Sequence, residues 1–310
     1  MDYLYLILYL ILSLALIIVG AMKLTDGSVA LARRFRVPEF VVGLTIVAVG
    51  TSMPELTVSL LSALEGKGDM AIGNVVGSNI FNVFAVLGIC SLFVPIIFTK
   101  TNIRRDIPIS IFATVALVIV TFLGNNITRM EGVILLLGYV AMIWYTLRVE
   151  KSNGSAEEEG PTMPAWRIPV WIILGLAGLI YGGDLFVDSA SNLATKWGVS
   201  EATIAITIVA GGTSMPELAS SLVAILKGRA SLALGNVLGS NIANILLILG
   251  TSASVTPLTM GGVAMSDIYV VLASAVMIMI SALVIGHDKL TRLEGALFVG
   301  CYVAYIYSLM

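Results

Sequence analysis

The chain predicts an all-α integral membrane fold: ten transmembrane helices forming two inverted five-helix repeats, with broken helices at the midplane. Three observations carry this. Of 310 residues, 58% are hydrophobic and 12% charged, against roughly a quarter charged in soluble domains. Apolar stretches long enough to span a bilayer recur along the whole length. The pentapeptide Thr-Ser-Met-Pro-Glu occurs twice, at Thr51–Glu55 and Thr213–Glu217, each time inside such a stretch.

The spans read at about 3–22, 40–64, 70–96, 107–123, 131–147, 168–187, 202–226, 231–256, 267–286 and 293–309. The first has Asp2 where a cleaved signal peptide carries basic residues, and it belongs to the repeat described below, so it reads as a span. Cys90 and Cys301 both fall within spans; with neither metal-site nor disulfide spacing, they read as packing residues. A net charge of −2 without a basic run gives no support for nucleic-acid binding.

Sliding the chain by 162 residues aligns its halves: Thr45–Gly88 and Thr207–Gly250 match at 26 of 44 positions without a gap. The expected organisation is a first repeat at 1–150 (motif about 43–88), a linker at 151–165 and a second repeat at 166–310 (motif about 205–250). Five spans per half is odd, so the second half enters the membrane in the opposite sense, as in many secondary transporters whose site lies at the repeat interface. Charge supports this. With the N-terminus outside, fourteen of the 17 basic residues fall in inner loops and only Lys67, Arg129 and Lys196 in outer ones. Both termini are therefore expected outside and the linker inside. The linker, with three consecutive glutamates, reads as a solvated tether.

A carboxylate inside a span is expensive and marks function. Pro54 and Pro216 each stand one residue before such a carboxylate, Glu55 and Glu217. Proline removes a backbone donor and breaks the helix there, so carbonyls near Ala48–Thr51 and Ala210–Thr213 are expected to be freed toward a cavity. Thr51 and Ser52 are spaced to share a face with Glu55. Carboxylates, hydroxyls and carbonyls are hard oxygen ligands, suited to Ca²⁺, Na⁺ or Mg²⁺. Two carboxylates match the charge of one Ca²⁺.

A second repeated element follows: Gly73, Asn74, Gly77, Ser78, Asn79 and Asn82 align with Gly235, Asn236, Gly239, Ser240, Asn241 and Asn244. Asn74, Ser78 and Asn82 lie four apart and form a polar stripe, while the glycines read as a surface for close helix approach. Asp26 and Asp188, at the expected ends of the first and sixth spans, read as solvated or capping residues. His287 reads as a loop residue.

These motifs resemble the two alpha-repeats of the sodium/calcium exchanger family, within the cation/calcium antiporter superfamily, in its prokaryotic form without the long regulatory insert. The resemblance covers nearly the whole chain, with G-T-S-x-P-E in each half and G-N-V-x-G-S-N after it. It implies alternating access, with the first and sixth spans sliding against an eight-helix core. By position it makes Glu55, Glu217 and the carbonyls of Thr51 and Thr213 the Ca²⁺ ligands. It assigns Na⁺ to Ser52, Ser78, Ser214 and Ser240, the carbonyls of Ala48 and Ala210, and the Thr51 and Thr213 hydroxyls beside the glutamates. Asn82 and Asn244 line the centre. Several relatives, including potassium-dependent ones, carry Asp at the position of Asn244. The Asn here removes a third carboxylate, argues against K⁺ co-transport, and leaves open whether a proton replaces some sodium.

The expected activity is exchange of Ca²⁺ for Na⁺, with both ions as substrates, no cofactor and no enzymatic chemistry. Ca²⁺/H⁺ exchange through the same two glutamates is the alternative within transport; a passive cation channel is the alternative outside it. A site completed within one chain suits a monomer in a lipid bilayer. The small size suits a prokaryotic plasma membrane.

Overall fold

The computed structural model describes residues 3–122, 124, 126–153, 163–199, 210–286 and 288–309. Apart from two short β-ladders, the described elements are helical. In chain order they are α1 (Tyr3–Phe35), α2 (Glu39–Thr51), α3 (Met53–Leu64), α4 (Gly68–Phe93), β1 (Ile96–Ile97), α5 (Asn102–Phe122), β2 (Asn126–Ile127), α6 (Arg129–Asn153) and α7 (Arg167–Lys196). The second half continues with α8 (Met215–Leu226), α9 (Ala230–Val255), β3 (Leu258–Thr259), α10 (Met265–Ile285), β4 (Lys289–Leu290) and α11 (Arg292–Leu309). Among the described residues seven helices are long and apolar enough to cross a membrane alone, and the α2/α3 pair, bent by 47°, makes an eighth. The two remaining expected spans fall on α8, whose preceding residues 200–209 lie outside the described set, and on the 18-residue α11.

The ladders establish the inversion. Ile96 pairs with Leu290 and Ile127 with Leu258, both antiparallel. By the repeat offset β3 is the counterpart of β1, yet β1 pairs with β4 and β3 with β2. The spanning helix α5 separates β1 from β2, so the two ladders lie at opposite ends of the bundle. Equivalent segments of the two repeats therefore face opposite sides.

The helices sort into centre and edge by what they bury. In α4 and α9, 83% and 89% of the most apolar window is enclosed, against 28% and 22% in α1 and α7. The edge pair packs along glycines: a Cβ on Gly178 would lie 3.1 Å from the Gly20 Cα, and one on Gly182 would lie 3.0 Å from the Ile17 amide. Without a hydrophobic drive between helices in lipid, such close backbone approach supplies the packing. Both edge helices outrun their expected spans. α1 continues to Phe35 and α7 to Lys196, so Asp26 and Asp188 lie within helices and not at their ends. The physical reason lies in the small residues around Asp26: Thr25, Gly27 and Ser28 are buried against neighbours, so the helix is sustained by packing that hydropathy does not register.

Of the four repeated glycines, those of the second half behave as read, whereas Gly77 has nothing within 4 Å of its Cβ position and Gly73 only a Val263 methyl at 3.8 Å. A Cβ on Gly235 would collide with the Phe40 carbonyl, and one on Gly239 with the Leu44 carbonyl and, at 2.7 Å, the Ala48 Cβ. α2 thus lies directly against α9. Overpacking of this kind costs about 1–3 kcal/mol. Gly235→Ala is expected to lower the thermal unfolding midpoint of the purified protein, while Gly300→Ala, with open space around its Cβ position, leaves it unchanged or raises it.

Candidate ion-binding site

Ser52 and Ser214 occupy the same non-helical conformation (φ −84°, ψ 11° and φ −92°, ψ 10°), each opening the half-helix that follows; Ser52 directly ends the preceding segment, while in the second repeat Thr213 shares the turn. Proline follows at the start of α3 and of α8, where its missing donor costs nothing. Glu55 and Glu217 consequently sit in the first turn of a half-helix, where the dipole favours negative charge. Both are fully buried, as are Thr51, Ser214, Ser240, Asn82 and Asn244.

The two motifs meet. Ser214 Oγ donates to Glu55 Oε1 at 2.9 Å, and Ser78 Oγ reaches the same oxygen at 3.3 Å. Ser52 Oγ donates to Glu217 Oε1 at 2.8 Å. The spacing of Ser52 suggested that it shares a face with Glu55; instead its hydroxyl crosses to the acid of the opposite repeat. Glu55 Oε2 and Glu217 Oε2 are buried without a hydrogen-bond partner, as are both side-chain polar atoms of Asn82 and the Asn244 Oδ1. Orphaned polar atoms in a dry interior cost ~1–3 kcal/mol each, more when charged. A cation held between the two acids would take up the orphaned oxygens of Glu55 and Glu217 as ligands; the Asn82 Nδ2, a donor, needs an acceptor instead. Among the described residues no group of three His, Cys, Asp or Glu side chains offers a competing centre.

The asparagines hold this geometry. Asn74 Nδ2 donates to the Glu55 carbonyl at 3.2 Å and to Ser59 Oγ at 2.9 Å. Asn236 Nδ2 donates to Ser220 and Ser221 at 3.0 and 2.9 Å, and its Oδ1 lies 3.2 Å from Thr51 Oγ1. Each asparagine thus braces the broken turn of its own repeat. At the centre Asn79 Nδ2 donates to the Asn241 carbonyl and Asn241 Nδ2 to the Asn79 carbonyl, both at 3.3 Å. Asn244 Nδ2 donates to Asn79 Oδ1 at 3.0 Å. This reciprocal pair was not singled out from the sequence, although both residues stand in the repeated G-N-V-x-G-S-N. Asn82 and Asn244 themselves lie in equivalent π-helical turns, Phe81–Leu87 and Ala243–Leu249, a distortion frequent at functional sites.

One expectation changes. The Ala48 carbonyl is not free: it accepts from Ser52 N at 3.0 Å, with the Thr51 and Ser240 hydroxyls at 3.3 and 3.4 Å. The Gly50 carbonyl, whose helical donor is lost to Pro54, also accepts a backbone N–H at the turn. Thr213 is half-buried, unlike Thr51; Ala210 opens the short helical turn Ala210–Gly212, and the residues before it lie outside the described set. Cys90 is buried and Cys301 half-buried within their helices, as packing residues would be. His287 and residues 154–162 of the linker lie outside the described residues.

An interior pair of acids at two broken helices, contributed by inverted repeats, defines a membrane transporter of the inverted-repeat class. The chain belongs to the sodium/calcium exchanger family, whose family description, sodium/calcium exchanger protein, matches residues 5–148 and 167–310. It is 36% identical to CaxA of Alkalimonas amylolytica over 97% of this chain and 98% of that protein. It is 28% identical to the sodium/calcium exchanger MaX1 of Methanosarcina acetivorans over 96% and 97%. The fold superposes on the sodium-calcium exchanger NCX_Mj with a TM-score of 0.87 at 30% identity, covering all of both chains, in a crystal soaked with zero Na⁺ and Ca²⁺. The chain is accordingly a multi-pass membrane protein of a cation antiporter family, not an enzyme.

Proposed function

We propose that this protein exchanges Ca²⁺ for Na⁺ by alternating access, extruding Ca²⁺ on an inward Na⁺ gradient across a plasma membrane, with both termini outside. The observation that carries the reading is the crossed pairing of Ser214 with Glu55 and Ser52 with Glu217. Each acid leaves its second oxygen unpartnered in the interior. Ca²⁺ takes both carboxylates, with the carbonyls of Thr51 and Thr213 completing its shell. Na⁺ takes the same acids together with Ser52, Ser78, Ser214 and Ser240, the hydroxyls of Thr51 and Thr213, and the carbonyls of Ala210 and of Ala48, where it displaces the long contacts from the Thr51 and Ser240 hydroxyls at 3.3 and 3.4 Å. Asn82 and Asn244 line the centre. Because the sets share ligands, one occupancy excludes the other and the fluxes are coupled. The halves 1–150 and 166–310 are the two inverted repeats joined by the linker 151–165; one edge helix from each, α1 and α7, slides against the remaining helices, and one chain suffices.

The test is ⁴⁵Ca²⁺ uptake into proteoliposomes with Na⁺, K⁺ and H⁺ gradients imposed one at a time. An outward Na⁺ gradient at fixed pH is expected to drive accumulation, with no requirement for K⁺. Uptake driven by a pH gradient alone would replace Na⁺ by H⁺ as the counter-ion at the same two glutamates. External unlabelled Ca²⁺ is expected to accelerate labelled efflux, as a carrier requires and a channel does not.

A further inference from the structure

A second charged cluster stands apart from the ion site, where α8 turns into α9 and α1 runs past. Lys227 Nζ pairs with Asp26 Oδ1 at 2.5 Å and donates to the Met22 carbonyl at 3.3 Å. Two residues on, Arg229 Nη1 pairs with Glu39 Oε1 at 2.8 Å. The α8–α9 turn is thereby fastened to the edge helix α1 and to the first residue of α2. The fastening lines a cavity of about 390 Å³ walled by Thr25, Asp26, Arg33, Met163, Lys227 and Arg229. Thr25 also borders the next space inward, bounded by Leu24, Val47, Ala224 and Leu232 on the way to Ser220 and Asn236, and too narrow for a water molecule. Ser220 and Asn236 are the braces of the Glu217 turn. A line of approach therefore runs from this end of the bundle to the ion site and is shut at its waist.

At the opposite end the described residues show no counterpart of the Asp26–Lys227 pair, while the counterpart of Glu39–Arg229 is Glu201–Lys67, of which Glu201 lies outside the described residues. The repeat offset puts Glu65 in the place of Lys227 and Asp188 in the place of Asp26, two acids where this end has an ion pair. Glu65 pairs locally with Lys67 at 2.7 Å, both side chains exposed. An exchange of conformations between the repeats, which inverted symmetry permits, would bring Glu65 toward Asp188 as Lys227 now meets Asp26. Two acids cannot form that contact.

We infer that the Asp26–Lys227 pair is a one-sided latch: it closes the approach between α1, α8 and α9, and it tilts the protein toward states shut at this end. The inference rests on the alternating-access reading but not on which ions are exchanged. It is tested in a C90A/C301A background carrying A224C, whose position at the waist is 1% exposed, by the rate of labelling with the neutral reagent N-ethylmaleimide in detergent. K227E and D26N are expected to label about tenfold faster than the background, a shift of ~1.4 kcal/mol. The exchanged pair D26K/K227D is expected to restore slow labelling. If K227E does not yield monodisperse protein, K227M carries the same expectation. Labelling as slow in K227E or K227M as in the background, or still fast in the exchanged pair, overturns the latch. Failure of Na⁺-driven uptake alone leaves the labelling result intact, so the two readings are separately at risk.

Discussion

Glu55→Gln and Glu217→Gln are each expected to reduce Ca²⁺ affinity by about two orders of magnitude or more, without loss of the folded protein. Removing one partner from a buried, hydrogen-bonded charge interaction costs ~2–5 kcal/mol of binding, and ~2.8 kcal/mol is a hundredfold. The cation-free state responds in the other direction. Each wild-type acid then holds one oxygen on the opposite repeat's serine and leaves the other orphaned in the interior. A glutamine keeps the acceptor for Ser214 or Ser52 and removes a buried charge. The calcium-free variants are expected to unfold at the same or a higher temperature than wild type, while added Ca²⁺ no longer stabilises them. Titration calorimetry and thermal unfolding with and without Ca²⁺ check both halves. Retained high-affinity binding in both variants would remove the acids from the site.

Asn244→Asp is expected to change which ions are coupled. Asn244 is fully buried, bonded through Nδ2 to Asn79 and with its Oδ1 free. An aspartate there places a third carboxylate in a cavity whose two acids already match one Ca²⁺. It also faces Asn79 Oδ1 with an acceptor where a donor stood. Burial of an unpaired charge is prohibitive, so the variant carries a proton or an additional monovalent cation with each Ca²⁺. Relative to wild type, uptake by the variant is expected to gain a severalfold dependence on K⁺ or on pH at saturating Na⁺. Unchanged ion dependence in a transporting variant would show that this position does not contribute to the transported charge.

The architecture was legible because its signals are global. The 162-residue offset and the odd number of spans each constrain the whole chain, and the ladders at opposite ends agree with the inversion they imply. Glu55 and Glu217 were legible because charge beside proline in an apolar stretch has few structural uses. What escaped the sequence depends on contacts between repeats. Asn79 and Asn241 look like further members of a polar stripe until the two central helices are laid together. Ser52 has the spacing of a partner for Glu55, but the turn at Ser52 directs it to Glu217. The extent of α1 beyond Asp26 is set by packing against small residues, which a hydropathy window reads as a span's end. The carbonyls expected to be freed by proline are re-engaged at the turn, Ala48 by Ser52 N and Gly50 by another backbone N–H, because the non-helical turn at Ser52 supplies new donors.

The two ladders also bear on how the chain is made. β1 emerges with the first repeat, yet its strand partner among the described residues, β4, lies just before the last helix. β2 likewise waits for β3. During synthesis the first five-helix unit therefore enters the bilayer with both of its strand edges unpaired, and it acquires them only as the second unit threads in from the opposite sense. Pairings this distant in sequence form late, and unpaired edges are sites of misassembly. A nascent chain stalled before β3 is, on this account, an unfinished half that membrane quality control has reason to recognise.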